Sequence, residues 1–277
     1  MSSGWTYRDA PWPVLRNLTA TALSLQRPSA FLGTLTVDVT TTLQKMQHCQ
    51  RATRRVVTMH AFLLHCLGKA AVEHPGVRTF RHRGRLITFD TVDVGTALEK
   101  RMPDGTRLPV VYILREADRK TFAEIQWEFR EAARRDLADD PGVRARRRIA
   151  RWPDWLRRIA LGRVLRNPFR LRQLYGNIQL TSLQQPGLRN RLLAFPASFC
   201  TLAVAAGSIT PEFVPDSEGR PRLAQLLQLG AAIDHDVLDG MGAVSFARRF
   251  VELVESGAGL DETFIEETRR LIRDRSP

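Results

Sequence analysis

The stretch AAIDHDVLDGMG, residues 231–242, decides how this chain is read. Just upstream, residues 226–233 are short, largely apolar and free of proline, which reads as a strand entering a core. Downstream, Val244, Phe246, Ala247, Phe250, Val251 and Val254 recur at helical spacing. His235 therefore stands where a strand ends and a helix is about to begin, just before an Asp239-Gly240 turn. A side chain at such a junction is held by rigid elements and still reaches a cleft.

Working outward, 277 residues at 43% hydrophobic content suffice for one large core or two small ones. No apolar run approaches the roughly 18–20 residues of a membrane span. The opening MSSGWTYRDAPWP lacks the basic-then-apolar layout of a signal peptide, so a cytoplasmic protein is expected. Cys49, Cys66 and Cys200 fit no metal spacing and read as buried free thiols. The net charge of +13 is concentrated: residues 143–173 hold eleven arginines and one acid, Asp154. The rest of the chain is close to neutral, which argues against a nucleic-acid-binding surface.

Residues 12–25 read as a first helix and residues 34–40, TLTVDVT, as a strand. A helix to about residue 50 follows, then a strongly apolar helix over 58–73 with Thr58 as N-cap. His60 and His65 lie in it with no third ligand at metal spacing, so they read as packing or surface residues and no metal is expected. Residues 85–96 and 109–115 supply two strands, with a Pro-Asp-Gly turn in KRMPDGT, residues 100–106. Phe122, Ile125, Phe129 and Ala132 give residues 121–135 an apolar helical face. Strands over 176–183, 198–205 and 225–233 complete one mixed α/β domain, with no repeat and no dividing linker.

Asp234-His235-Asp236-Val237-Leu238-Asp239-Gly240 resembles the D-H-R-x-x-D-G signature of the acyltransferase core of 2-oxo acid dehydrogenase complexes. It is also similar to the H-H-x-x-x-D-G signature of chloramphenicol acetyltransferase, which shares that fold. The resemblance covers roughly residues 14–256. LTVDV (35–39) looks like the family's first strand, and VTMHAF (57–62) with the helix to Glu73-His74-Pro75 looks like its T-x-x-A-F … P segment. VDVGTA (92–97) and LPVV (108–111) resemble two further strands. Arg78 stands where the dehydrogenase-complex enzymes usually carry Asn and chloramphenicol acetyltransferases often carry Arg. The fold implied is α/β: a chloramphenicol acetyltransferase-like mixed β-sheet flanked by helices in a single domain. Its limits are residues 1–256, with a basic amphipathic insertion at 143–173 and a helical tail at 257–277.

Acyl transfer from a thioester needs a base for the incoming hydroxyl, thiol or amine and a donor for the tetrahedral oxyanion. The resemblance implies that His235 is the base, taking the acceptor's proton directly with no covalent acyl-enzyme. A neutral histidine suits that task at cytoplasmic pH and contributes about 10²–10⁴-fold. Asp239 has two readings: it orients the histidine, or it anchors the loop. The resemblance implies the anchor, with Arg16 as partner, while Gly240 relieves the turn. GNIQLTSL (176–183) looks like the family's G-G-x-F-T-I-S-N/S-L-G strand, which places Thr181 on the oxyanion donor and Ser182 beside it. Gln184 replaces the usual Gly, so the register between Thr181 and Ser182 stays open. Asp236 replaces the Arg of D-H-R and puts acid on both sides of the histidine, which calls for a compensating cation or a different acceptor.

Against the family's pattern there is no E-T-D-K-A-type lipoylation segment and no Ala/Pro-rich linker. The expectation is a stand-alone acyltransferase taking acyl-CoA or a carrier-bound acyl group, without its own lipoyl group. The alternatives are a dehydrogenase-complex core served by lipoyl groups in trans, or an inactive scaffold. The resemblance further implies a homotrimer with each site at a subunit boundary. The basic segment, with Trp152 and Trp155 among its arginines, reads equally as a solvated cover for the core or as a binder of anions. Its expected partners are an anionic membrane surface beside a lipid-linked acceptor, an acidic carrier protein, or the phosphates of CoA.

Overall fold

The computed structural model describes residues 14, 16–25, 30–101, 107–134, 145, 148–184 and 190–275. The first half runs α1 (Arg16–Ser24), β1 (Ala30–Asp38), α2 (Thr40–Thr53), α3 (Met59–Glu73), a 3-10 turn (Pro75–Arg78), β2 (Thr79–His82), β3 (Arg85–Thr88), β4 (Val94–Arg101), β5 (Arg107–Leu114) and α4 (Phe122–Arg134). The second half gives α5 (Asp154–Leu165), α6 (Pro168–Tyr175), β6 (Ile178–Ser182), β7 (Leu202–Pro215), β8 (Pro221–Asp234), α7 (Gly240–Ser256) and α8 (Glu262–Arg275).

A six-stranded sheet in the order β1-β8-β7-β6-β4-β5 carries the architecture. β4, β6 and β7 run parallel to one another, and the other neighbours pair antiparallel. α3 is apolar almost all round, as a helix buried on every side must be. Its N-cap is Thr58, whose side chain accepts the Ala61 N–H. Phe62, Leu63, Leu64 and Leu67 pack with Ile178, Leu180, Leu202 and Leu227 of the strands in the main core. α8 belongs to the same helical layer, with Phe264 stacked on Phe122 of α4 at 4.7 Å between ring centroids. This is the mixed sheet flanked by helices, in one domain, that the sequence led us to expect.

Two expectations need correcting. The strand expected over 85–96 is two strands, β3 and β4, separated by the Asp93 region. Among the described residues β3 pairs only with β2, a short strand that alternation did not reveal. The strand expected to end at residue 205 runs on to Pro215, through a β-bulge between Ala206 and Ile209. Beyond Ala206 the one strand paired with it among the described residues is β8, so Pro211 interrupts no ladder on its other side there. Gly207 is required there, because a Cβ would lie 1.9 Å from the Leu192 carbonyl oxygen of a segment crossing the sheet. The turn expected in residues 100–106 lies almost wholly outside the described residues.

Asp93, just before β4, ties the halves together. Its carboxylate accepts from Arg115 at 2.9 Å, Arg172 at 2.8 Å and the Glu116 N–H at 3.0 Å. Its backbone N–H donates to Asn177 Oδ1 at 2.9 Å, and Asn177 Nδ2 donates to Thr91 O at 2.8 Å. Burial alone would raise this carboxyl, but the hydrogen bonds from Arg172, the Glu116 N–H and Arg115 outweigh it and hold it below the ordinary carboxylate value. A depressed folded value means that the unfolded state binds the proton more readily. Stability from Asp93 is therefore complete above about pH 4 and is lost as the pH falls through the lower folded value. We expect Asp93→Asn to lower the unfolding free energy at neutral pH by about 2–3 kcal/mol, since both arginines keep some solvent. Urea unfolding across an acid series checks this: the variant should lose less stability than the parent below about pH 4, and equal acid limbs would clear Asp93 of the role.

Candidate active site

β8 hands the chain to a turn that holds His235 out in solvent. The N–H groups of Val237 and Leu238 close the turn on the Asp234 carbonyl at 3.2 and 3.1 Å. The Asp236 N–H donates to Asp234 Oδ1 at 3.1 Å, and the Asp234 N–H donates to Thr201 O at 2.9 Å. Antiparallel pairing sets Phe31 of β1 opposite Ile233. That register brings the Phe31 ring edge-on to His235, 5.3 Å between centroids. The imidazole is braced by an aromatic edge and keeps its ring nitrogens free of hydrogen-bond partners among the described residues.

The acids around it are already engaged. Asp236 pairs with Arg81 of β2 at 3.0 Å. Both side chains are substantially exposed, so the pair adds little stability. Its effect is local, since it supplies the cation that the acid-flanked histidine called for. Asp239 is the N-cap of α7, its Oδ1 accepting the Gly242 N–H at 2.8 Å. The Arg16 side chain lies outside the described residues, so the expected pairing does too. Gly240 corrects one expectation: among the described residues its φ is not positive and an added Cβ would meet nothing within 4 Å. Arg78 donates to the carbonyls of Ala71 and Phe89, a structural tie between α3 and the loop before β4.

Thr181 and Ser182 sit elsewhere. Ile178 and Leu180 point into the helical layer, which by alternation takes Ser182 with them. Gln179 faces the other way, its Oε1 accepting the Phe199 N–H at 3.4 Å, and Thr181 shares that face. A slip of one residue thus exchanges the two hydroxyls across the sheet. Ser182 Oγ accepts the Gln184 N–H at 3.3 Å. In register, Thr181 pairs with Ala205 and Ala205 with Gly230, five residues before His235. At about 3.4 Å per residue and about 4.8 Å per strand, one chain holds the hydroxyl and the imidazole roughly 20 Å apart. His235, Asp236 and Asp239 share the one segment that joins β8 to α7, and Thr181 and Ser182 lie outside it.

Beside the His235 turn opens a cleft of about 880 Å³ between the β2–β3 hairpin and α5–α6. Asp234, the residue before His235, is part of its lining, as are Arg81, Arg83, Arg163, Arg166 and Arg170. Sequence reading located the arginine block but not its convergence with the hairpin on this turn. The other histidines of interest are core residues: His60 stacks on Phe129 at 4.8 Å between ring centroids and meets Thr96 Oγ1 at 2.7 Å. Burial pulls His60 and His65 down to about 4, so both are neutral near pH 7. Among the described residues no cluster of three metal-ligating side chains occurs, and no helix is long and apolar enough to cross a membrane.

Residues 6–140 match the family model described as 2-oxoacid dehydrogenases acyltransferase (catalytic domain). Among solved structures the chain is similar to a dihydrolipoamide acetyltransferase of Azotobacter vinelandii, with a TM-score of 0.66 and 17% identity over 92% of this chain and 94% of that one. A probable dihydrolipoamide acetyltransferase of Listeria monocytogenes gives 0.63 and 17%, covering 91% and 95%. A chloramphenicol acetyltransferase gives 0.50 and 15%, covering 88% and 96%. At these identities the likeness to solved structures is one of fold. No curated protein matches the chain by sequence. With its first half matched in sequence and the second half completing a fold of the same kind, the chain is an acyltransferase similar to the 2-oxoacid dehydrogenases acyltransferase (catalytic domain) family.

Proposed function

We propose that the protein transfers an acyl group directly from an acyl thioester, borne by CoA or a carrier, to a hydroxyl, thiol or amine, with His235 as general base. The observation that carries this is the His235 turn: an exposed imidazole braced by Phe31, its acidic neighbour Asp236 matched by Arg81, and the residue before it, Asp234, lining a cleft. One ring nitrogen takes the acceptor's proton as the acceptor attacks the thioester carbonyl carbon. The carbonyl electrons move to oxygen, where a hydroxyl from Thr181, or Ser182 one position on, donates to the oxyanion. Collapse expels the thiolate, which recovers the proton from His235. In the Azotobacter vinelandii enzyme a serine, a histidine and an asparagine, the last two four positions apart, are tied to the catalytic mechanism. His235 and Asp239 share that spacing. Asp239 acts here as a positioning residue, through the first turn of α7.

The distance between Thr181 and His235 within one chain supports a site completed by a second copy, and we infer a homotrimer in which each site takes its histidine from one chain and its hydroxyl from the next. Light scattering should then give three times the 31.4 kDa of one chain. A mass equal to a single chain would remove the shared site.

Incubation with a panel of acyl-CoAs, read as acceptor-dependent release of free thiol, tests the activity itself, and dihydrolipoamide in the acceptor panel separates a lipoyl-served core from a stand-alone enzyme. His235→Ala should lower turnover by at least about 10²-fold with the fold intact by circular dichroism. Thr181→Ala should cost about 10²–10³-fold and Thr181→Ser far less. If Ser182→Ala proves the more damaging of the two, the oxyanion donor is Ser182. Asp239→Ala should cost about 1 kcal/mol through loss of the cap, measured by thermal unfolding, whereas Asp239→Asn keeps it.

A further inference from the structure

The arginines of residues 143–173 do not form one uniform charged face. Arg157 is buried, held by Asp154, Thr21 and the Trp152 carbonyl, and Arg158 also pairs with Asp154. Arg172 is spent on Asp93. Three others, Arg163, Arg166 and Arg170, follow the cleft wall from α5 to α6 and make no ion pair among the described residues. Across the cleft the hairpin contributes Arg83, also without an ion pair there, and Arg81, which shares its charge with Asp236. His82 Nδ1 meets the Arg166 carbonyl at 3.0 Å, so the two walls are joined at one point instead of drifting apart. The floor is apolar: Phe80, Leu171 and Cys200 form a small core of their own, with Leu165 and Phe199 packed on it.

Four exposed guanidiniums with no carboxylate of their own, facing each other over an apolar floor, repel one another. Such an arrangement is stable only because each head is solvated, and it gains energy when a dense anion enters. A phosphate accepts from several guanidiniums at once, which a lone carboxylate does less well. The only acid in the cleft's described lining is Asp234, at the end that leads to His235. A volume of about 880 Å³ takes a body as large as a nucleotide.

We propose that this cleft binds a phosphate ester carrying an aromatic or apolar body, with its phosphates on Arg83, Arg163, Arg166 and Arg170 and its body on the Phe80–Leu171 floor. This rests on the reading of His235 as the catalytic base only for its purpose: the ligand is then the phosphorylated part of a reacting molecule whose acyl or acceptor end reaches the His235 turn. The convergence of the arginines on a concavity favours a small phosphorylated ligand over a flat anionic membrane.

Calorimetric titration of the whole protein with adenosine 3′,5′-bisphosphate and with inorganic diphosphate tests the site without any need for turnover. Saturable binding is expected at low salt, weakening as salt rises. Arg163→Ala with Arg166→Ala should weaken it at least tenfold, and Arg83→Ala should weaken it alone, because the two walls act together. These side chains are exposed and unpaired among the described residues, so thermal unfolding of the variants should match the parent. His235→Ala should bind as the parent does, which separates failure of this site from failure of the catalytic reading. Tighter binding of the bisphosphate than of diphosphate would assign the nucleotide end of the thioester donor, and equal binding a phosphorylated acceptor. No saturable binding at low salt, binding indifferent to the arginine substitutions, or association only with anionic phospholipid vesicles would each overturn the proposal.

Discussion

A single buried carboxylate sets most of this architecture. Asp93 draws Arg115 from the end of β5 and Arg172 from α6 onto one group, while its backbone joins Asn177 at the start of β6. Gly176, at a φ of +80°, makes that junction possible, because a Cβ there would lie 2.5 Å from the Asp93 carbonyl oxygen. A charge taken from water is tolerated only when hydrogen bonds replace what it lost. Three donors do so here, and the geometry they need leaves α6 one place to lie. β6, which carries Thr181, starts two residues after Gly176 and inherits its position.

The same anchor explains why an arginine-rich segment lies on the sheet at all. Residues 154–175 have a poor apolar face, and burial of Leu171 with Phe80 and Cys200 is a small gain. Arg172 on Asp93 and Arg157 on Thr21 of α1 hold the two helices from opposite ends. Between those fixed points Arg163, Arg166 and Arg170 make no ion pair among the described residues and line the cleft opposite the hairpin. The cleft is thus a by-product of where the pairing arginines sit, and its charge is whatever the pairing left over.

Much of this was legible along the chain, where the evidence was local. The change from an apolar strand to a 3.6-residue period around His235 needed only a dozen residues, and β8, the turn and α7 fell where it put them. Thr58 as a cap and the all-round apolar character of α3 are likewise local. What escaped were features whose cause is distant. β2 and β3 have four residues each, with little alternation, and they exist because they pair with each other beside α6. β7 continues through a bulge and a proline because β8 supplies the whole ladder there. Arg81 could not be paired with Asp236 from sequence, since 155 positions separate them.

The separation of Thr181 from His235 is a distant fact of another kind, because the family resemblance had already implied a site at a subunit boundary, with the two groups on different chains. The motif reading joined a base and an oxyanion donor because acyl transfer needs both within a few ångströms of one carbon. The sheet makes that impossible inside one chain, because strand register is discrete and β7 lies between the two strands that carry them. A side-chain rearrangement recovers a few ångströms, not 20 Å, and sliding β6 by whole residues would break its ladder with β4 and β7. If the chemistry uses both groups, the second must come from outside the chain. The sheet then does two things at once: it holds each group rigidly, and it makes association a condition of activity.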